Sequence, residues 1–364
     1  MDVGDLAHPS VTRFYTSSGR PAGPWGRGGA VKGPNGIYIQ TGDGLADPAS
    51  GNYGESVLAL APKDLRLMDS FTPTNWQYLN RRDLDMGSAN PLVFPFQKWT
   101  LLATAAKEGV TYLLDAGALG GGLNGKDRNG VPDHSTPLFA TPRLGNDETL
   151  LGGRGVWGAL ATYQNAAGRR FVYVPMWGPP SKDAPTFKYS YGETPNGSIM
   201  AFEVTVAGDK PALVPAWMSR DMHVPDPPTV ANGVLYAIQT GENTVQNPGR
   251  PNGDLAGGPI GAGFQPGGPG AGQGGRGAAG AGRGGLGGGR GGPGPGFALQ
   301  AAKLRATPVS NLVLYAYDAE TGKQLYSSEK TMSSWTHFSE PVVAEGKVFV
   351  VSWDAHVYAF GLKQ

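Results

Sequence analysis

The chain has 364 residues and 30 Lys and Arg against 29 Asp and Glu, a formal net charge of +1, so it carries no basic field to attract nucleic acid and no acidic tail. Cysteine is absent, which removes disulfides, thiolate nucleophiles, cysteine-ligated zinc and covalent c-type haem attachment, and leaves the redox compartment open. The N-terminus MDVGDLAHPS has neither a basic n-region nor an apolar h-region, and no segment reaches the roughly 18 unbroken apolar residues of a membrane span.

In chain order, short β-rich runs recur in pairs. A run is followed by Gly or Asp, then a second run ending in an aromatic or Leu, then a polar turn, which is strand punctuation and not helix periodicity. The pairs are GIYIQT (36–41) with SVLAL (56–60), and LLATA (101–105) with VTYLLD (110–115). They continue with FVYVPMW (171–177) and SIMAFEV (198–204), VLYAIQT (234–240) and LVLYAYD (312–318), and KVFVVS (347–352) with HVYAF (356–360). More polar runs, 215–218 and 324–328 among them, read as outer strands. Paired inner strands at a loose spacing of about 50 to 70 residues predict an all-β chain, a β-propeller of four-stranded antiparallel blades with about five blades present.

Between 247 and 297 the sequence is dominated by Gly, with scattered Arg and Pro and almost no bulky apolar side chain. Such a run cannot offset the entropy of ordering its backbone, and it reads as a disordered insertion within a blade. Its arginines lack aromatic interleaving, so the RNA-binding reading is weak. The organisation expected is blades over 1–246, the insertion over 247–297 and remaining blades over 298–364.

Other chemistry is poorly represented. Histidines 8, 134, 223, 337 and 356 show no metal-ligand spacing. KDRNGVPD (126–133) has oxygen donors around a glycine but no distal glutamate of a helix–loop–helix calcium site, so a plain turn is favoured. No nucleophile elbow with an ordered triad appears, and the Gly-x-Gly patterns follow no strand.

The stretch LYAYDAETGKQL (314–325) resembles the repeat of pyrroloquinoline-quinone enzymes, with Ala316, Asp318, Thr321, Gly322 and Lys323 in the turn and Tyr326 where a docking tryptophan stands. Asp318 suits an Asx-type turn and Gly322 a positive φ. The run PWGRGGAVKGPNGIYIQTGDG (24–44) resembles the cofactor face of the quinoprotein dehydrogenases. There Trp25 matches the tryptophan that stacks on the quinone, and Asp43 falls where a calcium-binding Asn would be. NRRDLDMGSANPLVF (80–94) resembles the segment of the catalytic base, with Asp85 the better-placed match and Asp83 the alternative, and AAKEGVTYLLDAG (105–117) the strand whose Lys or Arg contacts the quinone oxygens, here Lys107.

The resemblance therefore implies a periplasmic or extracellular propeller related to the quinone-dependent alcohol dehydrogenases. Pyrroloquinoline quinone would be bound by Trp25 and Lys107, calcium by Asp43 and Asp85, and a small-molecule alcohol deprotonated by Asp85 or Asp83. It equally implies a non-catalytic propeller that binds proteins or peptides, similar to outer-membrane assembly lipoproteins. Read from residues alone, Trp25 also suits an interblade core, Asp43 a turn, Asp83 and Asp85 a solvated loop paired with Arg81 and Arg82, and Lys107 a hairpin. VTRFYTSSG (11–19) reads as the outer strand of a preceding blade. The family's calcium-binding glutamate and adjacent cysteine pair would lie in that earlier part, and about five blades imply a ring completed by further chain or by assembly.

Overall fold

The computed structural model describes residues 11–18, 22–119, 133–145, 154–242 and 310–361. The Gly-rich run 247–297 and, Asp133 apart, the 126–133 segment lie outside the described residues. The fold is all-β, built from antiparallel meanders whose strands follow one another in chain order, the blade unit of a β-propeller. Sheet I comprises Val31–Gly33, Gly36–Gln40, Val57–Leu60 and Leu67–Phe71. Sheet II comprises Leu92–Phe96, Trp99–Ala105, Thr111–Asp115 and Phe139–Ala140. Sheet III is centred on Arg170–Trp177, Gly197–Ala207 and Lys210–Met218. Thr229–Ala231, Val234–Gln239, Val313–Asp318 and Gln324–Ser327 form sheet IV, and Val342–Ala344, Lys347–Val351 and Val357–Gly361 form sheet V.

Period-two alternation decides how these sheets stack. Tyr38, Val57, Ala59 and Phe71 on one face of sheet I pack against Leu102, Tyr112 and Leu114 of sheet II. The opposite face of sheet II, with Leu101, Ala103 and Leu113, meets Val172, Val174, Met200 and Phe202 of sheet III. Sheet III then turns Phe171, Tyr173, Ile199 and Trp217 to Leu235, Ala237, Tyr315 and Tyr317 of sheet IV. Ile238, Leu312 and Leu314 meet Val348 and Val350 of sheet V. Because sheets II, III and IV bury both faces, their inner strands read as near-continuous apolar runs. Each large side chain so buried contributes about 1.5–3 kcal/mol.

The repeat turn behaves as its residues predict. Asp318 Oδ1 accepts from the Thr321 N–H at 2.8 Å, and Gly322 has φ 73°. Trp217 of sheet III, not Tyr326, packs on that glycine: a Cβ at Gly322 would stand 2.5 Å from the indole. Tyr326 instead reaches across to Phe360 of sheet V, with ring centroids 6.2 Å apart.

Three expectations need correction. Residues 11–18 form no strand; they lie along 52–53, with the Tyr53 N–H donating to Thr16 O at 2.9 Å. No polar outer strand follows Val357–Gly361 among the described residues. Arg81 and Arg82, read as loop partners of Asp83 and Asp85, lie instead in a helix, Trp76–Arg82, which buries Leu79 and ends on Asp83 in the left-handed conformation, φ 56°.

Candidate functional site

Four chain segments meet where the ends of sheets I and II adjoin. Gly36–Gln40 runs out into Thr41, Gly42 and Asp43, and the turn into Val57–Leu60 carries Glu55. Asp83 caps the helix Trp76–Arg82, and Asp85 starts the short 3-10 turn Met86–Ser88. Lys107 stands in the turn joining Trp99–Ala105 to Thr111–Asp115. Gln40 ties the sheets together: its amide donates to Met86 O and, at 2.9 Å, to Ala105 O.

Glycines set how closely these segments approach. A Cβ on Gly42 would lie 2.7 Å from both Asp85 Oδ1 and Trp25 Nε1, and one on Gly87 would lie 2.8 Å from Trp25 Nε1. The indole of Trp25, the Asp85 carboxylate and the backbone of the 41–43 turn are therefore in direct apposition. Gly155, at φ 95°, admits the strand Gly155–Val156 against the Lys107 carbonyl, where a Cβ would sit 1.9 Å from the oxygen.

The side chains brought together are Trp25, Asp43, Glu55, Asp83, Asp85 and Lys107. Asp85 Oδ1 accepts from the Asp43 N–H at 2.8 Å, and its Oδ2 accepts from Lys107 Nζ at 2.5 Å. Lys107 Nζ also lies 3.3 Å from Asp83 Oδ1. The same ammonium sits 5.2 Å from the centroid of the Trp25 ring and 4.7 Å from that of Trp157. Carboxylate oxygens of Asp43, Glu55 and Asp85 all lie within 4.8 Å of one another. Glu55 Oε2 accepts from the Met86 N–H at 2.7 Å, whereas Glu55 Oε1 and Asp43 Oδ1 are buried and meet no N–H or hydroxyl donor among the described residues.

Crowding four carboxylates around one ammonium splits their acidities. Burial, and then the charges of Asp85 and Asp83, push Asp43 up to about 8. Burial also raises Glu55 well above the usual carboxylate range, with Asp85 and Asp43 adding to it. Asp83 is raised to about 6 by burial against the opposing pull of Lys107. Asp85 goes the other way: burial opposes ionisation, but Lys107 and the Asp43 N–H together hold it below the usual range.

All five residues singled out from the sequence thus come to one place. Asp83 and Asp85 pair with Lys107 and not with Arg81 or Arg82, and Lys107 is buried under Trp25 and Trp157 instead of lying on a hairpin surface. Trp25 is 39% exposed, so it is not an interblade core residue. Sequence reasoning missed Glu55, which reads in NYGES as a polar turn residue, and Trp157, whose indole stacks on Trp177 with centroids 5.0 Å apart. No residue pattern marks Glu55, which Ser56 separates from the buried strand Val57–Leu60.

Beside the acidic group, Arg27 donates to Asp226 Oδ1 at 2.8 Å and to Trp157 O at 2.8 Å, and its guanidinium lies 4.4 Å from the centre of the Phe338 ring. This buried pair fixes the Trp25 segment to the start of sheet IV. A cavity of about 380 Å³ lined by Tyr191, Glu193, Arg220, Asp221 and Tyr317 lies elsewhere, at the margin of sheets III and IV, and contains none of these groups.

No protein-family model matches the chain, and no curated protein sequence matches it. Among solved structures it is similar to a quinohemoprotein alcohol dehydrogenase from Comamonas testosteroni, at 13% identity over 87% of this chain and 42% of that one, with a TM-score of 0.37. It is similar to a europium-containing methanol dehydrogenase at 12% identity over 93% of this chain and 50% of that one, with a TM-score of 0.42. BamB from Moraxella catarrhalis is a further similar structure, at 9% identity over 91% of this chain and 84% of that one, with a TM-score of 0.24. The matches span half or less of the length of the two dehydrogenases. No helix among the described residues is long and apolar enough to cross a membrane.

Proposed function

We propose that the mouth formed by Trp25, Asp43, Asp83, Asp85 and Lys107 binds pyrroloquinoline quinone and calcium, and that the chain is the cofactor-bearing part of an alcohol dehydrogenase working outside the cytoplasm. The observation that carries this reading is the convergence of five residues from three separate segments, each of the type its role requires. The residues suit a hard cation: Asp43 Oδ1 is a buried carboxylate oxygen with no donor, and oxygens of Asp43 and Asp85 lie within 4.8 Å, a span two donors to one calcium can share.

In this reading Asp43 and Asp85 hold the calcium, and the exposed ring of Trp25 receives the flat cofactor by stacking. When bound, the calcium supplies a Lewis acid and the quinone a hydride acceptor. Lys107 contributes the cation that meets negative charge developing on the cofactor's oxygens, from a position already fixed by Asp85 and Asp83. Asp85 is kept ionised by Lys107 and by the Asp43 N–H and takes the alcohol proton; Asp83, raised to about 6, is the more basic alternative. The test is alcohol-dependent dye reduction by purified protein supplied with the quinone and calcium. Turnover is expected, and a folded protein that binds neither overturns the reading.

A scaffold role is favoured by a different observation. Val342, Val351 and Val357 are exposed on one face of sheet V, and Trp353 is exposed beside them. An apolar face of this kind suits a protein or peptide partner, or a further blade.

A further inference from the structure

We propose that Glu242 and His337 form a site of their own for a zinc-like transition-metal dication, separate from the carboxylates around Lys107. The chain uses one motif twice, as IQTGD (39–43) and as IQTGE (238–242). Each leaves the second strand of a four-stranded sheet, Gly36–Gln40 in sheet I and Val234–Gln239 in sheet IV. The two exits are anchored alike. The Gly42 N–H donates to Gly23 O at 3.1 Å and the Gly241 N–H to His223 O at 3.3 Å, each time in the segment that enters the same sheet. The side-chain amides of Gln40 and Gln239 each donate to a backbone carbonyl, Ala105 O at 2.9 Å and Asn311 O at 3.0 Å. An acid therefore stands at the same end of each sheet, Asp43 in the first and Glu242 in the fourth. Its companion comes from the segment leading to the following sheet, Asp85 before Leu92–Phe96 and His337 before Val342–Ala344. In the second copy that companion is an imidazole.

The Glu242 side chain is 1% exposed, and neither of its oxygens meets an N–H or hydroxyl donor in hydrogen-bonding geometry among the described residues. His337 Nδ1 lies 2.6 Å from Glu242 Oε1, yet outside hydrogen-bonding geometry. A buried carboxylate left without a donor is costly. A carboxylate oxygen and an imidazole nitrogen side by side are two adjacent ligand atoms for zinc, with water in the remaining positions. His337, 21% exposed, forms the open side. Its nitrogen sets the pair apart from the all-oxygen group of Asp43 and Asp85, because imidazole suits zinc or copper and carboxylates alone suit calcium. Asp226 is not a competing ligand: Arg27 holds its Oδ1 at 2.8 Å and the Ser339 N–H its Oδ2 at 2.9 Å. The pair also borders the mouth described above. Phe338, next in the chain, carries the Arg27 guanidinium 4.4 Å from its ring centre, and its centroid lies 6.3 Å from that of Trp157.

The experiment is calorimetric titration of zinc into the chelator-treated full chain at neutral pH, in excess calcium to compete at the all-oxygen group, with melting curves of each protein with and without zinc. It is repeated with Glu242→Gln, His337→Gln and His356→Gln. Single-site binding is expected in the wild type. Affinity should fall roughly tenfold or more in Glu242→Gln and in His337→Gln, no less than the loss caused by removing a group that merely supports a ligand. Zinc should raise the melting temperature of the wild type and of neither variant. His356→Gln is the control, because His356 Nδ1 lies 3.2 Å from Asp354 Oδ2 but the two side chains are 64% and 42% exposed; it should keep wild-type affinity. Should Glu242→Gln fail to fold, His337→Gln, at the open side, decides. No zinc binding by the wild type, or wild-type affinity in the site variants, overturns the assignment and leaves Glu242 and His337 as an ion pair. Binding lost in His356→Gln alone overturns it in favour of the surface pair.

Discussion

Lys107 Nζ lies 2.5 Å from Asp85 Oδ2 with 5% and 7% of the two side chains exposed, so the acidic group of this protein is organised around a buried ammonium. The pair joins the hairpin of sheet II to the segment that follows the helix Trp76–Arg82. Lys107 also meets both the carboxylates and the two indoles, Trp25 and Trp157.

Removing the ammonium should therefore be felt in stability before function. Lys107→Met leaves Asp85 buried without its counter-charge, a loss of about 3–5 kcal/mol for breaking one side of a buried pair. Chemical denaturation at neutral pH checks this. The double variant Lys107→Met with Asp85→Asn should recover much of the deficit, because it removes the stranded charge too.

Asp85 and Asp83 separate by function. Asp85→Asn keeps the side-chain volume and an oxygen donor, and should abolish alcohol-dependent dye reduction while quinone binding persists at saturating calcium; Asp83→Asn should reduce it less. Unchanged turnover in Asp85→Asn would remove that residue as the base and transfer the role to Asp83.

The pH dependence has a definite sign. Asp43 titrates near 8 in the folded protein against 3.8 in its unperturbed state, and Asp83 near 6, so the folded chain binds these protons more tightly than the unfolded one. Their contribution to stability is complete below about pH 4 and is lost as pH rises, through 6 for Asp83 and 8 for Asp43. Asp85, lowered by Lys107, has the opposite sign, and its contribution is lost as pH falls below the usual carboxylate range. Melting curves in chelator should show the midpoint falling between pH 5 and 8, and calcium should restore most at the upper end. A midpoint that climbs through this window would contradict the placement of these carboxylates.

Gly42→Ala tests the apposition of Trp25 and Asp85 without changing any charge. Its methyl group would enter within 2.7 Å of both, so one of them must withdraw. Tryptophan emission should shift and calcium affinity fall, with global stability lowered by about 1–3 kcal/mol, the usual cost of overpacking.

Much of this molecule is legible in its residues. Runs such as FVYVPMW and SIMAFEV are apolar on both sides because sheet III is covered on both faces, and the Asp318 to Gly322 turn closes as its side chains dictate. The helix Trp76–Arg82 was hidden because WQYLNRR is a single short amphipathic turn or two with weak periodicity and no side-chain cap. Glu55 was hidden because a glutamate between Gly54 and Ser56 looks like any exposed turn residue; only its left-handed backbone, invisible in sequence, sends it inward. Trp157 and Phe338 reach the site through contacts more than 100 residues distant from Trp25 and Arg27 along the chain.

The most direct test of the shared cofactor site is a titration of the purified chain with pyrroloquinoline quinone, with and without calcium, followed by tryptophan fluorescence and repeated with Trp25→Phe. Saturable quenching that requires calcium and shrinks in the variant is the expected result. Absence of quenching in the folded wild type, or quenching indifferent to calcium and to Trp25, would contradict it.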